Sequence, residues 1–263
     1  MFLYMQGKKE LLSFGLGSIS ILGVFLIWYL VGELEVVSEL FIPHPRSVWR
    51  AFLEVSTDGY RGGTLLVHLG SSLGRLIGGY FAAVFLGVPL GLLIGLYPKA
   101  RILLNPLFEF YRPLPPLAYY SLLILWLGIG ELSKITLLFL AALPPIIMNA
   151  RAGVENIPLH RIDAARTLGS RPRGLFFQVI FPSCLPFIFT GLRVGIGFAY
   201  TTLISAEIVA AVNGIGWLVL DAGRFLRTDI LFMAVIVMGV TGMVLDLLLR
   251  TLEQKLIPWK GYQ

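Results

Sequence analysis

Four arginines, Arg161, Arg166, Arg171 and Arg173, fall within thirteen residues of a chain that is otherwise strongly apolar. They belong to the stretch RIDAARTLGSRPRGLFFQVIFP, from Arg161 to Pro182. Guanidinium groups bind carboxylates and phosphates through planar, paired hydrogen bonds. Such a cluster suits lipid headgroups, nucleic acid or an acidic protein surface, and on charge alone a solvated basic loop explains it as well. The local signals are helical. Pro158 suits a first turn, Asp163 opposes the positive end of the helix dipole, and Ala164, Ala165, Arg166 and Leu168 are good helix formers. Thr167 completes the turn before Gly169, a natural stop. Ser170 then suits the cap of a second helix with Pro172 in its first turn. The spacing predicts helix, tight turn, helix, with the small Ala164 and Ala165 letting another surface come close.

A second group of residues carries charge where water is scarce. Arg112 lies eleven residues past Arg101, about 16 Å along a helix, and is followed by Pro113, Leu114, Pro115 and Pro116. Prolines free backbone groups, which a membrane interior tolerates only beside protein or a water-filled cavity. An ionisable residue at that depth points to function. Two roles fit Arg112: lining a pathway for an oxyanion, or pairing with Glu109 or Glu207. Glu207, among apolar and small residues, must neutralise or find a cation, so pairing is its expected role, with gating as the other. Arg193 is expected to snorkel, pair or line the same pathway. Arg75, near the start of an apolar run, is expected to snorkel towards the outer headgroups. Trp126 fits an interface anchor, and Asn149 the capped end of a span.

The elements that must position these groups follow from composition. The chain has 263 residues, 57% hydrophobic and 14% charged, with mean hydropathy +0.82. A soluble domain is about a quarter charged. Apolar stretches near 20 residues recur, each able to cross about 30 Å of hydrocarbon. No alternating barrel pattern is present, so the spans are helices. Six are expected, at about 11–32, 65–96, 103–127, 132–148, 176–211 and 230–249, in one all-α membrane domain covering 1–263, with a loop at about 151–175. The first run exceeds the core of about 7–15 residues of a secretory signal and lacks its cleavage site, so it is expected to be retained. The segment PHPRSVWRAFLEV suits an interfacial helix with Trp49 at headgroup depth, and NGIGWLVLDAGRFLRTD a partly buried excursion anchored by Trp217 and Phe225. Gly70, Gly74 and Gly78, then Gly87, Gly91 and Gly95, recur every four residues, which predicts close helix packing.

Charge sets the expected orientation. Of 21 Lys and Arg, those around Lys8, Lys99, Arg151–Arg173 and the tail after Leu249 outnumber those on the other side by about two to one. Both termini and the Arg161 segment are therefore expected in the cytoplasm. The net charge of +6 is explained by these loops, without nucleic acid. Cys184 is the single cysteine, which excludes an intrachain disulfide, and His44, His68 and His160 show no metal-ligand spacing. A secondary transporter would carry inverted repeats, and a membrane-embedded enzyme paired carboxylates, a histidine cluster or a Ser/Lys pair. Neither signature stands out.

DAARTLG followed by VIFP resembles the EAA loop of bacterial ABC-importer permeases: Ala164, Ala165, Gly169 and Pro182 match in register, while Asp163, Val179 and Phe181 depart conservatively. RPLPPLAYYSLLILWLGIGELSK and GLRVGIGFAYTTLISAEIVAAVNGIGWLV resemble the taurine, alkanesulfonate and nitrate branch. DAGRFLRTDI and IPWKG are most similar to taurine permeases. The resemblance implies a type I importer permease of the MetI-like fold, with six spans per subunit, in a bacterial inner membrane. It further implies a homodimer in membrane lipid, two cytoplasmic ABC ATPase subunits binding ATP and Mg, and an extracytoplasmic substrate-binding protein. Residues Arg161–Gly169 would couple ATP hydrolysis to alternating access for a small oxyanion. Taurine or another alkanesulfonate is expected first, with nitrate, cyanate, bicarbonate or an aromatic precursor as alternatives. The chain itself carries no cofactor motif. A phosphate-binding loop needs Gly-x-x-x-x-Gly-Lys-Ser/Thr. Gly7–Lys9 lacks the upstream glycine, and GSRPRG lacks the lysine.

Overall fold

The computed structural model describes residues 19–20 and 22–259. Lys8, Lys9, Lys260 and the part of the first expected span at 11–18 and Ile21 lie outside the described residues. Within them the regular structure is helical, apart from an isolated bridge between Tyr60 and Gly63. The helices are α1 (Leu22–Glu33), α2 (Pro45–Thr57), α3 (Leu65–Leu96), α4 (Pro98–Tyr111), α5 (Pro116–Leu127), α6 (Glu131–Glu155), α7 (Leu159–Thr167), α8 (Pro172–Ala210), α9 (Ile215–Arg224) and α10 (Thr228–Leu256). By length and composition α3, α6, α8 and α10 can each cross a membrane, while α1 and α5 are apolar but shorter.

Among the described residues the chain packs as two compact units, one of the residues up to Leu65 together with 218–236, the other of 66–217 together with those from 237 on. In the first, His44 caps α2: its Nδ1 accepts the Arg46 N–H at 3.0 Å, and its Nε2 meets Glu33 at 3.2 Å. Val48, Ala51 and Val55 form the inward face of α2, while Trp49 is exposed and stacks on Phe52. Trp28 donates to the Pro43 carbonyl and stacks on Phe232. Arg227 bridges Glu54 at 2.8 Å and Asp229 at 3.0 Å. Phe225, expected to be an anchor, is exposed and carries the Arg61 guanidinium 4.0 Å above its ring.

The second unit is built on α6. A methyl group at Gly79, Gly91 or Gly95 of α3 would lie 2.7 Å from the Ile135 carbonyl, 2.5 Å from that of Ile147 and 2.7 Å from Val154 Cβ. α3 and α6 therefore run parallel at a separation only glycine permits, as small residues allow in membranes. α8 runs antiparallel to α6, with a methyl at Gly191 or Gly195 falling 2.7 Å from Asn149 Cβ and 2.9 Å from Ile146. α10 returns along α8, where Tyr200 donates to the Met238 carbonyl. Leu76, Tyr80, Leu138, Ala142, Ile146, Ala199 and Leu203 fill the first core; Leu92, Ala150, Ile157, Ile180, Cys184 and Ile188 fill the second.

Several expectations change here. Gly70 and Gly74 have open space beside them; the close approach is made instead by Gly79, one position off the four-residue repeat. The stretch at 103–127, expected to be interrupted at YRPLPPLA, is indeed two helices, because Pro113 and Pro115 supply no N–H and Pro115 is extended at φ −65°, ψ 133°. α6 continues past Met148 to Glu155, so Asn149 does not end a span: it sits in mid-helix and donates to the Pro145 carbonyl at 2.8 Å. Residues Leu175–Ile180 form a π-helical turn, in which the Phe181 N–H reaches back to the Phe176 carbonyl. Pro182, which lacks an N–H for the Gln178 carbonyl, follows immediately.

Candidate functional site

The basic segment folds as the short helix α7, with two different faces. Ile162 and Ala165 turn inward, Ile162 against the core of Leu92, Ile157 and Ile180. Asp163, Ala164, Arg166 and Thr167 turn outward, with Leu168 87% exposed just beyond. Of the alanine pair, then, only Ala164 is open to another surface. The Ser170 N–H bonds the Ala165 carbonyl at 3.1 Å and the Gly169 N–H that of Arg166 at 2.9 Å, with Gly169 at φ +82°. This is a Schellman stop, which glycine adopts without strain. Pro158 caps α7 rather than entering its first turn, and Arg171, not Ser170, precedes Pro172 as the cap of α8, without a side-chain bond. Arg161 reaches Ser183 of α8 at 3.4 Å. Nearby, Arg151 joins Glu155 at 2.9 Å and Asn105 at 2.5 Å, and Arg101 meets Glu155 at 3.0 Å. The start of α4 is thus tied to the end of α6.

A second feature is a cavity of about 260 Å³ beside the break between α4 and α5. Arg112, Leu114 and Pro116 line it from that break, Ala141, Pro144, Pro145 and Asn149 from α6, and Val194 and Phe198 from α8. The structure thus brings Arg112, Leu114 and Pro116 of the expected pathway group together, with Pro113 and Pro115 in the break itself. Pro144 leaves the Leu140 carbonyl without its helical partner, and the Tyr111 hydroxyl takes it at 3.0 Å. Tyr119 lies 2.7 Å from the Tyr111 oxygen. The broken helix is thereby pinned to α6 beside the cavity. The tyrosines are legible only once paired with the prolines of another helix.

Arg193 and Glu207 lie elsewhere. Arg193 is held by Asp246 at 2.9 Å and lies 3.8 Å from Glu253. Glu207 is fully buried and 2.6 Å from Arg75, itself 3% exposed. Arg75 therefore does not snorkel outward. It also meets Glu131 at 2.5 and 2.9 Å, donates to the Asn213 carbonyl at 2.9 Å and bonds the Asn213 side chain. A guanidinium with five donors can satisfy all of these partners. The first turn of α9 docks on the same cluster. Its amides Gly214, Ile215 and Gly216 donate to His68, Ser72 and Glu207 at 3.2, 2.9 and 2.9 Å. These N–H groups have no partner within the helix, and a carboxylate opposes the dipole there. Trp217 stacks on His68. Gly214 sits at φ +120°, and a side chain there would fall onto the Glu207 carboxylate.

Comparison with known proteins agrees with this architecture. Residues 87–258 match the family described as binding-protein-dependent transport system inner membrane component. The taurine transport system permease protein TauC of Escherichia coli is 43% identical over 93% of this chain and 90% of its own length. The bicarbonate transport system permease protein CmpB of Synechocystis sp. is 33% identical over 90% and 87%. A structure of the MetNI methionine ABC transporter, inward facing, superposes with TM-score 0.62 at 17% identity, covering 74% of this chain and 94% of that one, a likeness of fold. The chain belongs to the family of inner membrane components of binding-protein-dependent transport systems.

Proposed function

We propose that this chain is the permease subunit of an ATP-driven importer for taurine or another alkanesulfonate. It works as a homodimer with two cytoplasmic ABC ATPase subunits, which hold ATP and Mg, and an extracytoplasmic binding protein. The observation that carries the reading is the two-faced α7. Its inner face is fastened to the core through Ile162 and Ala165, while Asp163, Ala164, Arg166, Thr167 and Leu168 are offered outward. A push on that face is transmitted to α8 through the contact of Arg161 with Ser183 and through the short Gly169 turn. Six spans per subunit are supported by the alternating directions of α3, α4 with α5, α6, α8 and α10, with α1 as the remaining crossing. With both termini cytoplasmic, α7 faces the ATPases, and the cluster of Arg75, Glu131 and Glu207 faces outward.

The substrate class is supported by the likeness to TauC over nearly the whole chain and by Arg112 at the cavity, since a guanidinium matches an oxyanion. The likeness to CmpB makes bicarbonate the second substrate to test, with nitrate, cyanate and aromatic precursors after it. The test is ATP-dependent uptake of labelled taurine, ethanesulfonate and bicarbonate by proteoliposomes holding the permease, its ATPase and its binding protein. Uptake of a sulfonate supports the reading; uptake of bicarbonate alone overturns the substrate.

A further inference from the structure

We propose that the cavity beside Arg112 receives a zwitterion at both ends: an anionic head on Arg112 and an ammonium group on acceptors of α6. The inference rests on the reading of the cavity as the substrate pathway and adds what that pathway discriminates.

The hydrogen-bond inventory of the lining leads there. Tyr111 has one hydroxyl hydrogen, and it goes to the Leu140 carbonyl. The contact between Tyr111 and Tyr119 at 2.7 Å must then be donated by Tyr119. Both hydroxyl hydrogens are used within the protein, so neither tyrosine can donate to an anion. Arg112, exposed at the rim, supplies the donors.

The acceptors lie on α6. Pro144 and Pro145 both lack an N–H, so two successive carbonyls, Leu140 and Ala141, lose their helical donors. Tyr111 satisfies Leu140. The Ala141 carbonyl has no N–H four residues on, and Ala141 lines the cavity. Asn149 adds a second acceptor. Its amide nitrogen donates to the Pro145 carbonyl, an oxygen that can only accept, so Oδ1 is the end of the amide not engaged there. Among the described residues no Asp or Glu lines the cavity. An ammonium is therefore met by neutral carbonyl dipoles, which orient a cation without the grip of a buried ion pair. A pathway needs that balance, because its ligand has to leave. Leu114, Val194 and Phe198 supply an apolar wall for the short hydrocarbon between the two charged ends.

The experiment uses the purified permease–ATPase complex without binding protein. Equilibrium binding of taurine, ethanesulfonate and ethylammonium is measured for the wild type, Pro145→Ala and Arg112→Gln. Pro145→Ala returns an N–H to the Ala141 carbonyl and keeps the carbonyl that Asn149 uses, and a thermal melt checks that it folds. The ratio of taurine to ethanesulfonate affinity should fall about tenfold in Pro145→Ala, the order expected for one hydrogen bond to a charged group. Arg112→Gln should weaken both sulfonates and spare ethylammonium. An unchanged ratio in a folded Pro145→Ala, with taurine still bound by the wild type, overturns the two-ended site and leaves the proposed function standing. No taurine binding by the wild type overturns the two-ended site, while the proposed function stands or falls on the uptake assay.

Discussion

Glu207 and Arg75, 132 residues apart in sequence, meet at 2.6 Å in the interior of the second unit, where Ser72 also donates to the same carboxylate at 2.8 Å. The pair fastens α3, α6, α8 and the start of α9 at one end. Removing one partner of a buried pair leaves an uncompensated charge and costs about 3–5 kcal/mol. Glu207→Ala should therefore lower the melting temperature of the purified permease sharply. Glu207→Gln, which keeps an oxygen for Gly216, should cost less. A melt of Glu207→Ala equal to that of the wild type would show that the pair is energetically idle.

Gly214 makes a related prediction. Its φ of +120° and the Glu207 carboxylate beside it leave no room for a side chain. Gly214→Ala should destabilise by at least about 1–3 kcal/mol from backbone strain. Gly239→Ala, with open space beside it, should be neutral or slightly stabilising. Comparison of the two melting temperatures is the check.

The parallel contact of α3 with α6 rests on glycine. Gly91→Leu places a side chain against the Ile147 backbone and should abolish assembly, read as loss of a monodisperse peak in size-exclusion chromatography in detergent. Leu93→Ala, on an exposed position of the same helix, should leave that peak in place.

The two faces of α7 predict opposite outcomes for neighbouring alanines. Ala164→Glu should leave the stability within about 0.5 kcal/mol of the wild type, as for surface changes, yet lose ATPase association and uptake. Ala165→Glu buries a carboxylate and should destabilise the permease itself. Equal loss of stability in both variants would contradict the assignment of faces.

The helix α7 was legible because its signals are local: helix formers, a glycine stop and a proline, all within 22 residues of sequence. The break after Arg112 was legible for the same reason, since a proline acts on its own backbone. The Arg75 cluster was not. Nothing near Arg75 announces Glu131, Glu207 or Asn213, and an arginine near the start of an apolar run looks like one that snorkels. The available hint was the face shared by Ser72 and Arg75, three residues apart on one helix, which two polar groups would not share towards lipid. The glycine repeat was half informative. Gly87, Gly91 and Gly95 face α6 because that helix lies there, and the same period at Gly70 and Gly74 faces open space. Periodicity gives the face of a helix, and only tertiary packing says what covers it.

The central claim is that α7 couples this permease to a separate ATPase. Taurine uptake by proteoliposomes holding permease, ATPase and binding protein tests it most directly, with wild type and Ala164→Glu compared at equal incorporation. ATP-dependent accumulation in the wild type and its loss in a folded Ala164→Glu, together with loss of ATPase co-purification, is the predicted result. Equal uptake by the two proteins, or uptake that persists without the ATPase, would contradict the account.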